Sequence, residues 1–352
     1  MLFNLFLLIT VTLSKYIELP LIITEYDTVE TILYIGTPPS KYKFHLSSIS
    51  PDIYITNNVN LYDSKTSSSY TCLIDNYSVP FLENKAKACL SKDTLYLSEG
   101  AKFPIKETNF ILIYEGDYGH LSKGKIGLEY LSSIKGENFS FIDLLYNQNY
   151  IDKKQFSLYS FKAIDAILYR IQIGFDEDDN DMTGFKYKKC SLIQSDKNGN
   201  PNSLWQCTLN AVFTNDDMFY SVKSPVTFST GGNVICVDLT FFNIIYKKYF
   251  ASEEDTNCRL IKDAPQGSRK VLCNFSFVKK FDKVISFMIG KFNIKISGED
   301  LWFSDIPGEM TFRLMYYPEK DNVWMINYTS IKDSYRIVFD KVNNEVGFRK
   351  QF

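Results

Sequence analysis

The stretch Tyr34–Ile55 reads YIGTPPSKYKFHLSSISPDIYI, and the interpretation of the whole chain starts from it. It opens at the end of an alternating run, VETILYIG, which is typical of a strand ended by turn residues. Short runs of the same kind recur along the chain, among them NFILIYEG, YRIQIGF, FNIKISG and YRIVFD. Many short strands spaced this closely predict an all-β protein. Helical signals are few, and the two candidates are Ser140–Ile151 and Leu239–Phe250.

A weak internal repeat links this stretch to the second half of the chain. Its segment KFHLSSIS is echoed by PVTFSTGG at Pro225–Gly232, which places Ser229 at the position of Ser47. Each copy is followed later by a short matching segment, KIG, which ends at Gly127, and MIN, which ends at Asn327. One β-lobe that occurs twice would explain the repeat. Each lobe would then present one tight turn at a shared cleft, which is a usual place for a site.

The composition excludes several classes of protein. The chain has 352 residues, enough for one large domain or two lobes. Hydrophobic residues make up 45% and charged residues 23%, so the chain can bury a core and is not a disordered tail. The formal net charge is −2, and no basic stripe indicates a nucleic-acid partner. The acidic run Asp176–Asp181 lacks the spacing of a calcium loop, so we expect no metal site and no cofactor.

The first residues of the chain predict secretion. Leu2–Leu13 is an apolar run that is too short to span a bilayer and has the length of a signal-peptide core. Small residues favour cleavage after Ser14, so residues 1–14 are interpreted as a signal peptide. A buried N-terminal strand is the alternative. No second apolar run suggests a membrane anchor, and the expected location is outside the cell or in the lumen of the secretory pathway.

Cysteine usage agrees with an oxidising compartment. Six of the seven cysteines form neighbouring pairs, and three local bridges are the simplest framework, although the sequence alone leaves other pairings open. Each bridge would stabilise the fold by roughly 3 kcal/mol. The paired residues are Cys72 with Cys89, Cys190 with Cys207, and Cys258 with Cys273. Cys236 is left over and is interpreted as a buried free thiol. The glycosylation candidates of a secreted chain are Asn76, Asn138 and Asn274.

The order of motifs along the chain resembles the pepsin-like aspartic proteases. The segments that carry the resemblance are YIGTPPSKY, LYDSKTSSSY, SKDTLYL, KGKIGLEY, FIDLLYNQNYIDKKQFSLYS, LWQCTLN and WMINYTSIKDSYRIVFDKVNNEVGF. The resemblance covers nearly the whole chain after Ser14. It implies a bilobal all-β fold with two related β-barrel-like lobes, a cleft between them and a few short helices. We expect the N-terminal lobe at residues 15–184 and the C-terminal lobe at residues 185–352. The Cys258–Cys273 pair lies where the family commonly has its second-lobe bridge.

The chemistry that the resemblance implies needs two aspartates, and this chain lacks both. In the family, each lobe carries one Asp in an Asp-Thr/Ser-Gly motif, and the two carboxyl groups hold a water and share one proton. The corresponding motifs here are Ser47-Ser48-Ile49 and Ser229-Thr230-Gly231. A serine hydroxyl does not accept a proton near neutral pH. Losing such acid–base help costs on the order of a hundred- to ten-thousand-fold per group. We therefore predict no catalytic residue at Ser47 or Ser229.

The second position of each motif still carries a hydroxyl group. Ser48 and Thr230 stand where the family's paired hydroxyls brace the two lobes through backbone N–H groups, so we predict that the brace persists. The flap tyrosine of the family falls near Phe81 when residues are counted back from Asp93. Neither Asp52 nor Asp238 is expected to replace a lost aspartate.

Three functional hypotheses follow. The leading one is a secreted, monomeric pseudoprotease that binds a peptide or protein in or near its cleft, with strand-type hydrogen bonds. The alternative is a residual or altered hydrolase in which Ser47 is the nucleophile and His45 the base, since the two side chains share one face of a strand. The third is a structural surface or storage protein whose cleft has no role.

Overall fold

The computed structural model describes residues 15–24, 28–57, 62–77, 87–100, 102–115, 124–129, 140–164, 166–174, 187–195, 199, 201–251, 257–263, 267–318 and 323–351. Several predictions lie outside the described residues and stay predictions. They are the signal peptide at residues 1–14, the flap residue Phe81, the sequon at Asn138, the acidic run at residues 176–181 and the lobe boundary between residues 184 and 185.

Strands make up most of the described chain, as the alternating runs predict. The strands of the first half are β1 (Ile17–Ile23), β2 (Val29–Ile35), β3 (Ser40–Ser47), β4 (Tyr54–Thr56), β5 (Thr71–Ile74), β6 (Lys87–Ser98), β7 (Lys102–Glu115), β8 (Gly124–Gly127), β9 (Gln155–Lys162) and β10 (Ile167–Ile173). Those of the second half are β11 (Lys188–Ser191), β12 (Gln206–Thr214), β13 (Phe219–Ser229), β14 (Ile235–Cys236), β15 (Cys258–Asp263), β16 (Ser268–Asn274), β17 (Val284–Ile289), β18 (Phe292–Ser297), β19 (Trp302–Ile306), β20 (Glu309–Phe312), β21 (Leu314–Met315), β22 (Trp324–Asn327), β23 (Tyr335–Asp340) and β24 (Glu345–Lys350).

Helices in the described residues are short and begin at polar caps. They are α1 (Phe141–Asn147), α2 (Leu239–Tyr249) and α3 (Phe275–Val278). Ser140 caps α1 by accepting from the backbone N–H of Asp143. The first helix ends earlier than predicted because Asn149 adopts the left-handed conformation (φ 60°), which stops the ladder. No helix in the described part of the chain is long and apolar enough to cross a lipid bilayer.

The strands form three sheets that build two lobes. A thirteen-stranded sheet has the order β11-β24-β23-β9-β10-β1-β2-β3-β8-β4-β7-β6-β5 and contains the first lobe together with the C-terminal hairpin of β23 and β24. A seven-stranded sheet, β18-β17-β12-β13-β22-β14-β21, and a four-stranded sheet, β15-β16-β20-β19, form the second lobe. This architecture confirms the bilobal all-β fold that the resemblance implies.

The internal repeat is visible in the strand register. Strand β3 runs parallel to β8, and this places Ser47 opposite Gly127. Strand β13 runs parallel to β22, and this places Ser229 opposite Asn327. The two serines therefore occupy equivalent positions, each at the end of a strand that enters a tight turn.

The largest cluster of buried apolar side chains continues from one lobe to the other. Phe156 from the first half stacks on Phe339 from the C-terminal hairpin, with ring centroids 4.5 Å apart. Trp205 meets both rings edge-on, at 5.8 Å from Phe156 and 5.1 Å from Phe339. Such pairs contribute about 0.5–1.5 kcal/mol each beyond burial of their area. The lobes thus share one apolar layer.

Three disulfides join strands that are neighbours in space. The bridges are Cys72–Cys89 between β5 and β6, Cys190–Cys207 between β11 and β12, and Cys258–Cys273 across the β15–β16 hairpin. They are the pairs that the sequence spacing suggests. Cys236 is a buried free thiol. Of the sequons, Asn76 is exposed, whereas the side chain of Asn274 caps α3 by accepting from the N–H of Phe277 at 3.0 Å.

Candidate functional site

The tight turns that end β3 and β13 meet and hold each other by four reciprocal hydrogen bonds. The backbone N–H of Ser48 donates to Thr230 Oγ1, and the N–H of Thr230 donates to Ser48 Oγ, both at 3.0 Å. The two hydroxyls then donate onward across the junction, Ser48 to the carbonyl of Phe228 at 3.0 Å and Thr230 to the carbonyl of Leu46 at 2.7 Å. Both side chains are fully buried. We call this set the interlobe brace; its geometry agrees with the prediction from the motif.

The residues that precede the brace carry hydroxyl groups instead of carboxylates. Ser47 is 4% exposed and Ser229 is 1% exposed. The Ser229 hydroxyl is held within its own turn, since it accepts from the N–H of Gly231 at 3.1 Å. Ile49, at the third motif position, exposes 38% of its surface. None of the side chains at the motif positions 47–49 and 229–231 is itself a base near neutral pH.

The His45 ring points toward the second lobe. A Cβ atom built on Gly231 would lie 3.2 Å from His45 Nε2, so the imidazole occupies the space beside this glycine. Across the β2–β3 ladder, His45 is directly opposite Glu30, which is 2% exposed. Directly opposed residues share a face of the sheet, as do residues two apart on one strand. An acid, a histidine and Ser47 thus lie on one face.

The two aspartates near the turns are engaged elsewhere. Asp52 is 5% exposed and accepts from the Tyr54 hydroxyl at 3.0 Å. Asp238 caps α2 by accepting from the N–H of Phe241 at 2.7 Å, and the Tyr220 hydroxyl also donates to it. These contacts agree with the expectation that neither residue replaces a lost catalytic carboxylate.

A buried group of charged side chains lies next to the first turn, and the sequence reasoning missed it. The backbone N–H of Glu129 donates to the carbonyl of Ser50 in that turn at 3.2 Å. Burial raises the pKa of Glu129 to about 7; the charge of Asp52 adds to this rise, while a hydrogen bond from Ser203 and the charge of Lys125 oppose it. Burial also lowers the pKa of Lys125. The only signal in the sequence is that the charged residues Lys125 and Glu129 stand on either side of the short run Ile126-Gly127-Leu128.

Glu129 should make stability depend on pH. Its pKa is higher in the folded chain than the ordinary value of 4.5, so the folded state binds the proton more tightly. Stability from this group is therefore complete at acidic pH and falls as the pH rises from about 4.5 to about 7, by about 3 kcal/mol in total. We expect Glu129→Gln to flatten this part of the profile of unfolding free energy against pH. The exposed Glu99→Gln is the control, and an equal change in both variants would contradict the assignment.

Gly127 lets the first turn approach β8. A Cβ atom at Gly127 would lie 2.3 Å from the carbonyl carbon of Pro51 and 2.5 Å from the backbone nitrogen of Asp52. The neighbouring N–H of Leu128 donates to the carbonyl of Ser47 at 2.8 Å, which joins the first turn to the end of β8. The second lobe has Asn327 at the equivalent place, and its side-chain amide donates to the carbonyl of Val234.

An aromatic side chain follows β5 and packs on a small apolar cluster of the first lobe. Tyr77 packs against a cluster formed by Tyr54, Ala88, Ile111 and Ile113. Its backbone N–H donates to the carbonyl of Ala88 at 2.8 Å. The sequence analysis did not single out Tyr77; its count back from Asp93 led to Phe81 instead. In the described residues no three His, Cys, Asp or Glu side chains come together as a metal site would require.

Comparison with known proteins agrees with this geometry. The family model described as "Eukaryotic aspartyl protease" matches residues 30–351, which is most of the chain and includes both turns of the brace. A search of curated proteins found no match. The extent of the family match, together with the bilobal fold, shows that the chain belongs to the eukaryotic aspartyl protease family.

Proposed function

We propose that this family member is a pseudoprotease that binds an extended peptide or a protein segment and does not cleave it. The observation that carries the proposal is the contrast within the two motifs. All four hydrogen bonds of the interlobe brace are present, whereas the residues beside it are Ser47 and Ser229. The chain keeps the groups that position the two lobes and lacks the groups that would move a proton.

The lost chemistry is large. The family's mechanism needs one ionised and one protonated carboxyl group on either side of a water. Two hydroxyl groups supply neither the base nor the acid. A single such group is worth on the order of a hundred- to ten-thousand-fold in rate, and because the two carboxyl groups act as one unit, the loss of both is at least this large. Asp52 and Asp238 do not offset this loss, because each is already held by other groups.

Binding of a peptide needs none of this proton chemistry. An extended peptide is recognised largely through backbone hydrogen bonds to a sheet edge. Strand β5 is the edge of the thirteen-stranded sheet, and all four of its residues are exposed. The same strand leads into Tyr77, which packs against Tyr54, Ala88, Ile111 and Ile113. This edge supports the peptide-binding part of the proposal.

A proteolysis assay tests the proposal. The purified protein is incubated with unfolded protein substrates from about pH 3 to about pH 7.5, and new peptide ends are identified by mass spectrometry. We expect the same negligible cleavage from the wild type and from the variant Ser47→Ala with Ser229→Ala. Specific cleavage by the wild type that the double variant lacks would overturn the proposal.

Photo-crosslinking separates a binding protein from a storage protein. A photoreactive amino acid replaces Ile49, which is exposed beside the brace, and in a second variant it replaces Val342, which is 62% exposed on the C-terminal hairpin. We expect peptides from a random pool to be captured at residue 49 and not at residue 342. Equal capture at residues 49 and 342 would favour the structural or storage protein, whose cleft binds no peptide.

A residual hydrolase is the second candidate, and the placement of His45 favours it. The shared face of Glu30, His45 and Ser47 offers an acid, a base and a nucleophile. The same protein samples are assayed with activated esters. If this chemistry operates, His45→Ala lowers ester hydrolysis on the order of a hundredfold or more. A rate that is the same for His45→Ala and the wild type removes this candidate.

Secretion is part of the same proposal. The three disulfides support an oxidising compartment, because such bridges are rare in the cytosol. The apolar run of residues 2–13 and the exposed sequon at Asn76 are consistent with the secretory pathway.

A further inference from the structure

A cavity of about 410 Å³ lies where the seven-stranded sheet of the second lobe meets the C-terminal hairpin. Part of its lining comes from the end of β12, the turn that follows it, and strands β17 and β18. The rest comes from β23, the residue before β23, and β24. The lining residues are Phe213, Thr214, Asn215, Val284, Ser286, Lys295, Ser297, Ser334, Tyr335 and Lys350. We call it the junction cavity. None of these residues belongs to the interlobe brace, and the volume is within the range of small-molecule sites.

Hydrogen bonds join the elements that form the walls of the cavity. The backbone N–H of Lys295 donates to the Tyr335 hydroxyl at 2.9 Å, which ties β18 to β23. The Asn215 side chain accepts from the N–H of Val284 at 3.1 Å and donates to the carbonyl of Asp282 at 3.3 Å, which ties the turn after β12 to β17. A pocket fixed from both sides is preformed, so a ligand would bind without first ordering it.

One hydroxyl group of the cavity lining is available to a ligand. Ser286 is 3% exposed and lines the cavity, yet its hydroxyl makes no hydrogen bond to any described residue. Other polar groups of the lining are occupied, since Thr214 donates to Asp216 and Ser334 donates to Asp300. A hydroxyl that reaches the space of the cavity and has no partner among the described residues can donate to a ligand or to water there.

The charged side chains of the lining have one sign. Lys295 and Lys350 are exposed and line the cavity, and neither forms an ion pair with another described residue. Among the described residues, no Asp or Glu lines the cavity. The nearby carboxylate of Asp216 is already held by Lys248, at 3.2 Å, and by the hydroxyl of Tyr249. Two ammonium groups without carboxylate partners beside a buried hydroxyl are suited to an oxyanion.

The remaining wall of the cavity is apolar. The side chains of Phe213 and Val284 are partly buried and line the space beside the polar groups. A ligand that fits both surfaces carries one anionic group and an apolar body.

We propose that the junction cavity binds a small organic anion. The oxyanion contacts Lys295, Lys350 and the Ser286 hydroxyl, and the apolar body packs on Phe213 and Val284. The proposal does not depend on whether the cleft between the lobes cleaves peptides or binds them.

Titration calorimetry with phenyl phosphate and phenylacetate tests this site. We expect saturable binding of at least one of these probes to the wild-type protein, and weaker binding of inorganic phosphate, which lacks the apolar body. The variant Lys295→Met with Lys350→Met should weaken binding on the order of tenfold or more, because both charge-assisted contacts are lost. Ser286→Ala should weaken binding as well and leave folding intact, since its hydroxyl contacts no described residue.

The variant Lys279→Met with Lys280→Met is the matched control, because both lysines are exposed in the same lobe and lie outside the cavity. Thermal unfolding of every variant verifies that the fold is retained. The site is refuted if neither aromatic probe binds saturably to the wild type. It is also refuted if the control pair weakens binding as much as the cavity pair does.

Discussion

Thr230→Val is expected to lower the free energy of unfolding by about 4 kcal/mol, because the substitution leaves two buried backbone groups unsatisfied. The Thr230 hydroxyl accepts from the N–H of Ser48 and donates to the carbonyl of Leu46, and valine keeps the shape without the hydroxyl. Each orphaned group costs roughly 1–3 kcal/mol. Ser48→Ala should have a similar effect, since its hydroxyl serves the N–H of Thr230 and the carbonyl of Phe228.

Urea unfolding followed by circular dichroism measures this loss. Thr230→Ser is the matched control, because it retains the hydroxyl and removes only a methyl group, at an expected cost of about 1 kcal/mol. The brace would lose its assigned role if the valine and serine variants were equally stable.

Gly127→Ala should also be strongly destabilising, by about 4 kcal/mol. The added methyl group would collide with backbone atoms of Ser50, Pro51 and Asp52, at 2.3–2.5 Å. Backbone atoms cannot move aside as the end of a flexible side chain can, so the whole first turn must shift. That shift would also break the hydrogen bond from Leu128 to the carbonyl of Ser47.

The same measurement on Gly347→Ala is the control for this effect. Gly347 is buried, but its added methyl group would approach its nearest neighbour, Tyr187, at 3.4 Å, which is ordinary contact. We expect a change in unfolding free energy within about 1 kcal/mol for this variant. Similar losses of unfolding free energy in the two variants would mean that the close backbone approach at Gly127 does not cause the destabilisation.

Features that depend on short motifs were predictable from the sequence. The alternating runs predicted the strands, and the echo of KFHLSSIS in PVTFSTGG predicted two lobes. The resemblance to the aspartic proteases implied the pairing of Ser48 with Thr230. Each of these depends on residues within one strand and its turn, where periodicity and side-chain type carry the information.

Features that depend on distant residues were not predictable. His45 and Gly231 lie beside each other only because the brace brings the lobes together. The burial of Glu129 beside Asp52 likewise follows from packing and leaves no pattern in the sequence. The flap assignment to Phe81 was counted back along the sequence from Asp93. Residue 81 lies outside the described residues, so this assignment stays a prediction.

The interlobe brace also has a consequence for how the chain folds. Its hydrogen bonds join residues that are 180 to 184 positions apart in the sequence. Contacts this distant form only after the loop between them has closed, so they belong to the slow, late part of folding. The amide hydrogens of Ser48 and Thr230 therefore become protected from exchange with solvent only when both lobes are built and docked. Protection of these two amides therefore reports the docking of the two folded lobes against each other.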